Sequence, residues 1–354
     1  MIKSIGHLRS VSNLEGQPRA QEATGPNVLD PTALFNGYVG ANLAFAYERI
    51  GLFAALKPGA TITFDALASR AGTIRGRLGA LLKTGIVLGY LERDLDGCYA
   101  WTDAGAELAR HAAYFTWGVG GYGKFFRELG ALASNTEPWS HLRDGGMVAL
   151  GSDQANVSFM QDKLHKVLDG IEFTRIADLG CGNAGRLVEF CTRYPGMSGV
   201  GIDINRDAIA LAKVNVANSG LASSIELHCQ NVLQSVEDVT VKESLRDVEV
   251  VTCFMMLHDL FNSVELKNTL FDRLRAAFPK VKYFVIADTV RMPSREELDE
   301  LPIFNIGFEL VHAFMDVTIQ DKSTYEDAFA DAGLVVESCV EFGTPNTYLY
   351  LLRA

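Results

Sequence analysis

The chain has 354 residues, 48% hydrophobic and 21% charged, with a formal net charge of −11. That length suits two domains and that composition a well-filled core, and no run of 18 uncharged apolar residues offers itself as a membrane span. Acidic residues outnumber basic ones 43 to 32, which speaks against a DNA or RNA substrate. Six scattered cysteines without a Cys-X-X-Cys pair, and no apolar stretch behind Lys3, Arg9 and Arg19, lead to the expectation of a reduced, cytoplasmic protein with no secretory signal.

Residues 1–30 are polar and read as a loose arm or swapped segment. Leu34 to Leu56 is helical in character and stops at Lys57-Pro58-Gly59. Phe64–Ala68 and Thr73–Leu82 follow as two helices. Tyr90–Arg93 and Cys98–Trp101 then read as strands about a turn at Asp94-Leu95-Asp96-Gly97. Two helices and a hairpin form a winged-helix pattern, whose common use is DNA binding. The second helix offers only Arg75, Arg77 and Lys83 to neutralise phosphates, so a DNA-binding regulator is the weaker, non-enzyme reading. Residues 105–170 are mostly helical, interrupted by Gly118-Val119-Gly120-Gly121-Tyr122-Gly123, which is either a plain loop or a close approach to a ligand.

From about residue 171 apolar runs of strand length alternate with helical stretches: Arg175–Leu179, Gly199–Asp203, Val248–Phe254 and Tyr283–Asp288. This is the signature of an α/β, doubly wound parallel sheet, with domains expected at 1–155 and 156–354. Asp178-Leu179-Gly180-Cys181-Gly182-Asn183-Ala184-Gly185 closes the first of these strands and opens a helix, where such sheets bind ligands. Gly180, Gly182 and Gly185 satisfy the dinucleotide spacing, so NAD must be weighed. The pairing of Asp178, placed to meet a cationic amino or sulfonium group, with Asp203, placed to accept from both ribose hydroxyls, favours S-adenosylmethionine. After the third strand the chain resembles class I methyltransferases, where an Asp often touches the adenine ring; the resemblance implies that Asn231, which stands there instead, would meet the adenine amine through its side-chain carbonyl.

The next strand ends in Met255-Met256-Leu257-His258-Asp259-Leu260, and a second histidine, His312, follows the fifth strand. Two imidazoles and a carboxylate make a facial set of metal ligands with positions left open for a bidentate guest. A 2-oxo acid would chelate such a metal through its carboxylate and keto oxygens, easing loss of a C3 proton. The alternative for His312 is a buried core histidine.

On these motifs the whole chain resembles small-molecule methyltransferases that join a winged-helix dimerisation domain to a Rossmann-like domain of class I methyltransferase type. Most are O-methyltransferases whose motif reads LHDW and whose histidine takes a hydroxyl proton. Here Leu260 stands in place of the tryptophan. With His312 added, the chain resembles more closely the metal-dependent α-keto acid C-methyltransferases of the phenylpyruvate and 2-ketoarginine types. That resemblance implies His258, Asp259 and His312 as ligands of iron or zinc, with Arg143 near the keto acid. It also implies a homodimer joined through residues 1–150 and a place in antibiotic-type biosynthesis. The acidic run Glu296, Glu297, Asp299, Glu300 reads first as an exposed, solvated acidic helix, yet it would suit a guanidinium tail and with the resemblance tilts the expected substrate to 2-ketoarginine. Trp117, Phe125 and Phe126 keep phenylpyruvate open, and an O-methyltransferase with His258 as general base is the further alternative.

Overall fold

The computed structural model describes residues 29–134, 138–235 and 238–354, so the N-terminal arm expected over 1–30 lies almost wholly outside the described residues. The first helix is Pro31–Arg49, capped by the Asp30 carboxylate, which accepts from the Thr32 and Ala33 amides. It ends earlier than the apolar pattern suggests, because Gly51 turns left-handed and starts a separate short helix, Leu52–Ala55. Helices Phe64–Ala71 and Arg75–Val87 precede an antiparallel hairpin of β1 (Leu91–Arg93) and β2 (Tyr99–Trp101). Tyr47, Leu78, Leu82 and Trp101 fill its core, and the two polar tips in it are satisfied: Tyr47 donates to the Leu81 carbonyl and the Trp101 indole to the Leu56 carbonyl. Of the basic residues on the second helix, Arg75 is paired with Asp65 and lies over the Phe64 ring.

The glycine-rich stretch is not an open loop. Thr116–Gly121 forms a π-helical turn. A side chain at Gly120 would meet the Phe45 ring at 2.7 Å, one at Gly121 the Val148 side chain at 2.7 Å, and one at Gly151 the Trp117 amide at 2.9 Å. Gly120 and Gly121 leave room for the packed Phe45 and Val148 side chains and Gly151 for the backbone of the facing helix, so packing accounts for them. Helix Gly145–Ala155, the π turn Asn156–Met160 and helix Gln161–Leu168 then form one continuous rod across the expected boundary at 155.

The second half is a seven-stranded sheet of β3 (Arg175–Leu179), β4 (Ser198–Asp203), β5 (Ile225–Cys229), β6 (Val250–Phe254), β7 (Tyr283–Thr289), β8 (Val335–Glu341) and β9 (Thr347–Arg353). Its order is β5-β4-β3-β6-β7-β9-β8, with β3 to β7 parallel and β9 antiparallel between β7 and β8. β3 and β6 are buried almost throughout, as apolar strands with helices on both faces must be, and one hydrophobic cluster covers each face. The order reverses between β4-β3 and β6, so the crevice for a ligand opens at the carboxyl ends of these strands. Among the described residues no helix is long and apolar enough to cross a membrane.

Candidate active site

Backbone geometry builds one half of the crevice. Past β3 the chain turns through Gly180 and Gly182, both with positive φ (73° and 56°), and Ala184 takes a left-handed conformation to start the Gly185–Arg193 helix. A Cβ on Gly180 would stand 2.8 Å from the Met256 sulfur. The amides of Gly180 and Cys181 both donate to the Ile202 carbonyl, and that of Gly182 donates to Asp203 Oδ2 at 2.9 Å. Asp203 Oδ1 accepts from the Asn205 amide. Both carboxylate oxygens are thus fixed while each keeps a lone pair for a ribose hydroxyl.

Asp178 stands back from the crevice. It is fully buried, its Oδ1 accepts from the Thr252 hydroxyl at 2.6 Å, and burial pushes its carboxyl above the usual range. Its Oδ1 is taken by Thr252, while Oδ2 is buried without a hydrogen-bond partner and stands 3.7 Å from Arg186 Nη1. Asn231 ends β5's side of the crevice, and its side-chain oxygen caps the next short helix by accepting from the Leu233 amide. An adenine contact through that oxygen would share it with the cap.

Side chains build the other half. His258, on the Leu257–Leu260 helix behind β6, is 2% exposed. Asp288, near the end of β7, accepts from its backbone amide and its ring Nδ1, both at 2.8 Å. Burial works against the charged ring, but Asp288 and then Asp259 outweigh it, and the His258 pKa is raised. His312 lies on the Asn305–Ala313 helix, its Nδ1 bonded to the Phe308 carbonyl at 2.7 Å. Burial and the neighbouring His258 lower its pKa. The two rings stand 4.6 Å apart, centre to centre, at 87°.

Each Nδ1 is therefore tied to an oxygen, the arrangement that fixes Nε2 as the metal-binding nitrogen. Asp259 Oδ1 is 3.9 Å from His258 Nε2, and its side chain is 46% exposed. As the side chains stand, no three His, Cys, Asp or Glu among the described residues are close enough together to enclose an ion. The imidazole pair suits a metal; Asp259 would have to turn inward to complete the set.

Asp288 is the residue sequence reasoning missed. Its signal is a carboxylate at the end of an otherwise apolar strand, beside the strand that delivers His258. Arg143 follows the short turn Ser140–Leu142, exposed, with its guanidinium 5.9 Å from the Tyr122 ring centre. Burial raises the Tyr122 hydroxyl pKa, with Arg143 lowering and Asp259 raising it.

Beside this centre lies an aromatic wall. Phe304, at φ 79°, packs on Tyr114, Trp117 and Phe308, and Phe308 edges against His258. Of the acidic run, Glu296, Glu297, Asp299 and Glu300 are exposed, and Glu297 is engaged in a capping box with Ser294.

Residues 172–339 match a family model described as a methyltransferase domain. The chain is 28% identical over 323 residues to indolepyruvate C-methyltransferase of Streptomyces griseus, covering 91% of this chain and 94% of that protein. It is similar in fold to mitomycin 7-O-methyltransferase (TM-score 0.61, 15% identity, 91% and 96% of the two chains). A likeness of the same kind holds for human N-acetylserotonin methyltransferase solved with S-adenosylmethionine (TM-score 0.60, 15% identity, 91% and 96%). The fold is that of class I methyltransferases, a Rossmann-like sheet with an N-terminal helical region. The domain match and these relatives support S-adenosylmethionine-dependent methyl transfer to a small molecule.

Proposed function

We propose that the protein transfers a methyl group from S-adenosylmethionine to C3 of a 2-oxo acid held at His258, Asp259 and His312. The observation that carries this reading is the imidazole pair, each ring locked through Nδ1 and standing beside Asp259 at the crevice. When bound there, iron or zinc would supply Lewis acidity toward the keto and carboxylate oxygens of the acid. The chain's own residues do the rest. Asp203 and the Gly180–Gly182 turn hold the donor's nucleoside, Arg143 offers a guanidinium to the acid's carboxylate, and the buried crevice keeps the two reacting carbons in register.

The tail favoured here is aromatic. Trp117, Tyr122, Phe304 and Phe308 form a connected aromatic cluster that reaches His258 through Phe308, and Phe126 packs close to Gly307. The carboxylates that would pair with a guanidinium are exposed and Glu297 is held in a capping box, so the aromatic side chains give the stronger argument for the tail. The indolepyruvate activity of the Streptomyces relative agrees with an arylpyruvate.

A second reading has one observation in its favour. A histidine oriented by a buried carboxylate, as His258 is by Asp288, is also the arrangement of a general base. His258 would then deprotonate a hydroxyl for O-methylation. Metal analysis followed by labelled donor with a panel of arylpyruvates, 2-ketoarginine and phenols decides between them. Bound metal and label on C3 of an arylpyruvate are expected. Label on a phenolic oxygen, unaffected by chelators, overturns the proposal in favour of the second reading.

A further inference from the structure

The helix that carries His312 opens on a strained turn. Phe304 takes φ 79° and ψ −52°, and the Asn305 amide donates across it to the Ile303 carbonyl at 3.0 Å. This is a three-residue γ-turn of the rare hand, which a residue other than glycine adopts only under backbone strain. What the turn delivers is Asn305. That residue has no exposed surface, yet neither its side-chain nitrogen nor its side-chain oxygen has a hydrogen-bond partner. Among the described residues it is the only buried amide side chain with both ends open. Glu309, one turn along, is turned to the Met292 amide and leaves Asn305 unanswered.

Helix geometry says what the open amide faces. Residues 305, 308 and 312 follow the i, i+3, i+7 spacing of one helix stripe, and all three are buried. The other two members of the stripe bear on the acceptor site. Phe308 sets its ring edge-on to His258 at 5.4 Å, and the His312 ring lies 4.6 Å from that of His258. Asn305 stands two helical turns before His312, about 10 Å along the axis. That span exceeds the reach of the carboxylate and keto oxygens of an acid held at the histidines, and it suits the length of an aryl tail leading away from them. Beside Asn305 are Phe304 and Phe308, with Tyr114 and Trp117 packed on Phe304. An amide left open in so apolar a setting is unfavourable until a guest completes it.

We infer that Asn305 reads the far end of the acceptor's tail, its side-chain oxygen accepting from an N–H or O–H carried by the aromatic ring. The inference rests on the arylpyruvate reading above. It adds which arylpyruvates are preferred: those with a polar hydrogen on the ring over plain phenylpyruvate. A buried polar group discriminates against a guest that cannot pair with it, because binding then seals that group away unsatisfied.

Calorimetry tests it, on protein supplied with zinc and saturated with S-adenosylhomocysteine, titrated with indolepyruvate, 4-hydroxyphenylpyruvate and phenylpyruvate. At least one of the two ring-polar acids is expected to bind about tenfold or more tighter than phenylpyruvate, and the one that does identifies the N–H or the O–H as the group read. Asn305→Leu keeps the branched shape without polar atoms. It should weaken the preferred acid about tenfold and leave phenylpyruvate within about twofold, with stability in urea undiminished. Asn305→Ala serves if the leucine variant does not fold, and should lose the preference in the same way. A drop in stability with all three acids weakened equally marks a structural amide and overturns the inference, as does no effect on any of them. Phenylpyruvate bound by the parent as tightly as both ring-polar acids overturns it too. If the parent binds none of the three, the arylpyruvate reading itself falls.

Discussion

The two ends of the crevice are built by different means. At the donor end the contacts come from a turn whose shape is written in consecutive residues, and each polar group there is tied to the next strand. At the acceptor end the groups come from separate places: His258 behind β6, Asp288 near the end of β7, His312 on the Asn305–Ala313 helix, and an aromatic wall shared with the helical half. A turn needs local sequence to be right, whereas a convergent site needs the whole topology to be right. The donor end is accordingly the one that a sequence motif describes, and the acceptor end is where chemistry can be changed without disturbing the fold.

That contrast breaks most clearly at His312. His312→Ala should cost on the order of a hundredfold or more in turnover, together with bound metal, while S-adenosylhomocysteine affinity stays within about twofold. If donor binding falls in step with turnover, the two ends are not independent. Asp288→Asn keeps the side chain's shape but weakens the hold on His258, and should lower turnover by about ten- to a hundredfold. A circular dichroism spectrum like that of the parent would show that the loss is local. Asp203→Ala probes the opposite end: it should weaken S-adenosylhomocysteine about tenfold or more by calorimetry, with metal content unchanged.

Smaller effects belong to the scaffold. Gly151→Ala places a methyl 2.9 Å from the Trp117 amide and 3.0 Å from the Ala113 carbonyl, and should cost about 1–3 kcal/mol in urea unfolding, with binding of the donor less affected. At the far, amino-terminal edge of the sheet, Glu249 accepts from Thr174 and pairs with Lys282, and its carboxyl is held down to about 2. A carboxyl lowered on folding stabilises above its ordinary range near 4.5 and loses that contribution as pH falls toward 2. Glu249→Gln should therefore be less stable than the parent at pH 6, by under about 1 kcal/mol for so exposed a pair, with the gap narrowing in urea titrations at pH 3.

The sequence makes the parallel strands legible because strands buried on both faces must be apolar along their length, as Ile176–Leu179 and Val250–Phe254 are. It makes the glycine turn legible because few other residues accept the backbone angles of Gly180 and Gly182. The antiparallel strands β8 and β9 have comparable runs, Val335–Glu341 and Thr347–Arg353, but their position beside β7 is a property of topology. Asp288 and Asp178 show the same limit: both are acids at the ends of apolar strands, one holds the histidine and the other is buried against Thr252, and only packing distinguishes them. The acidic run is ambiguous in sequence because a capping box and a substrate pocket ask for the same residue types.

The helical run from Gly145 to Leu168 links the two halves with no loop between them. A linker would make the helical half a tethered cap, free to swing away and to be removed. A helical run that continues from one half into the other, through a π turn and with no loop between, makes it an attached wall and a poor protease substrate. Cutting the gene at the apparent boundary near residue 155 would split that run in mid-course, separating Asp153 from its hydrogen-bond partner Asn183 and stripping the aromatic wall from the histidines. The unit that can be moved, fused or evolved as one piece is thus the whole chain across both halves, not the sheet alone.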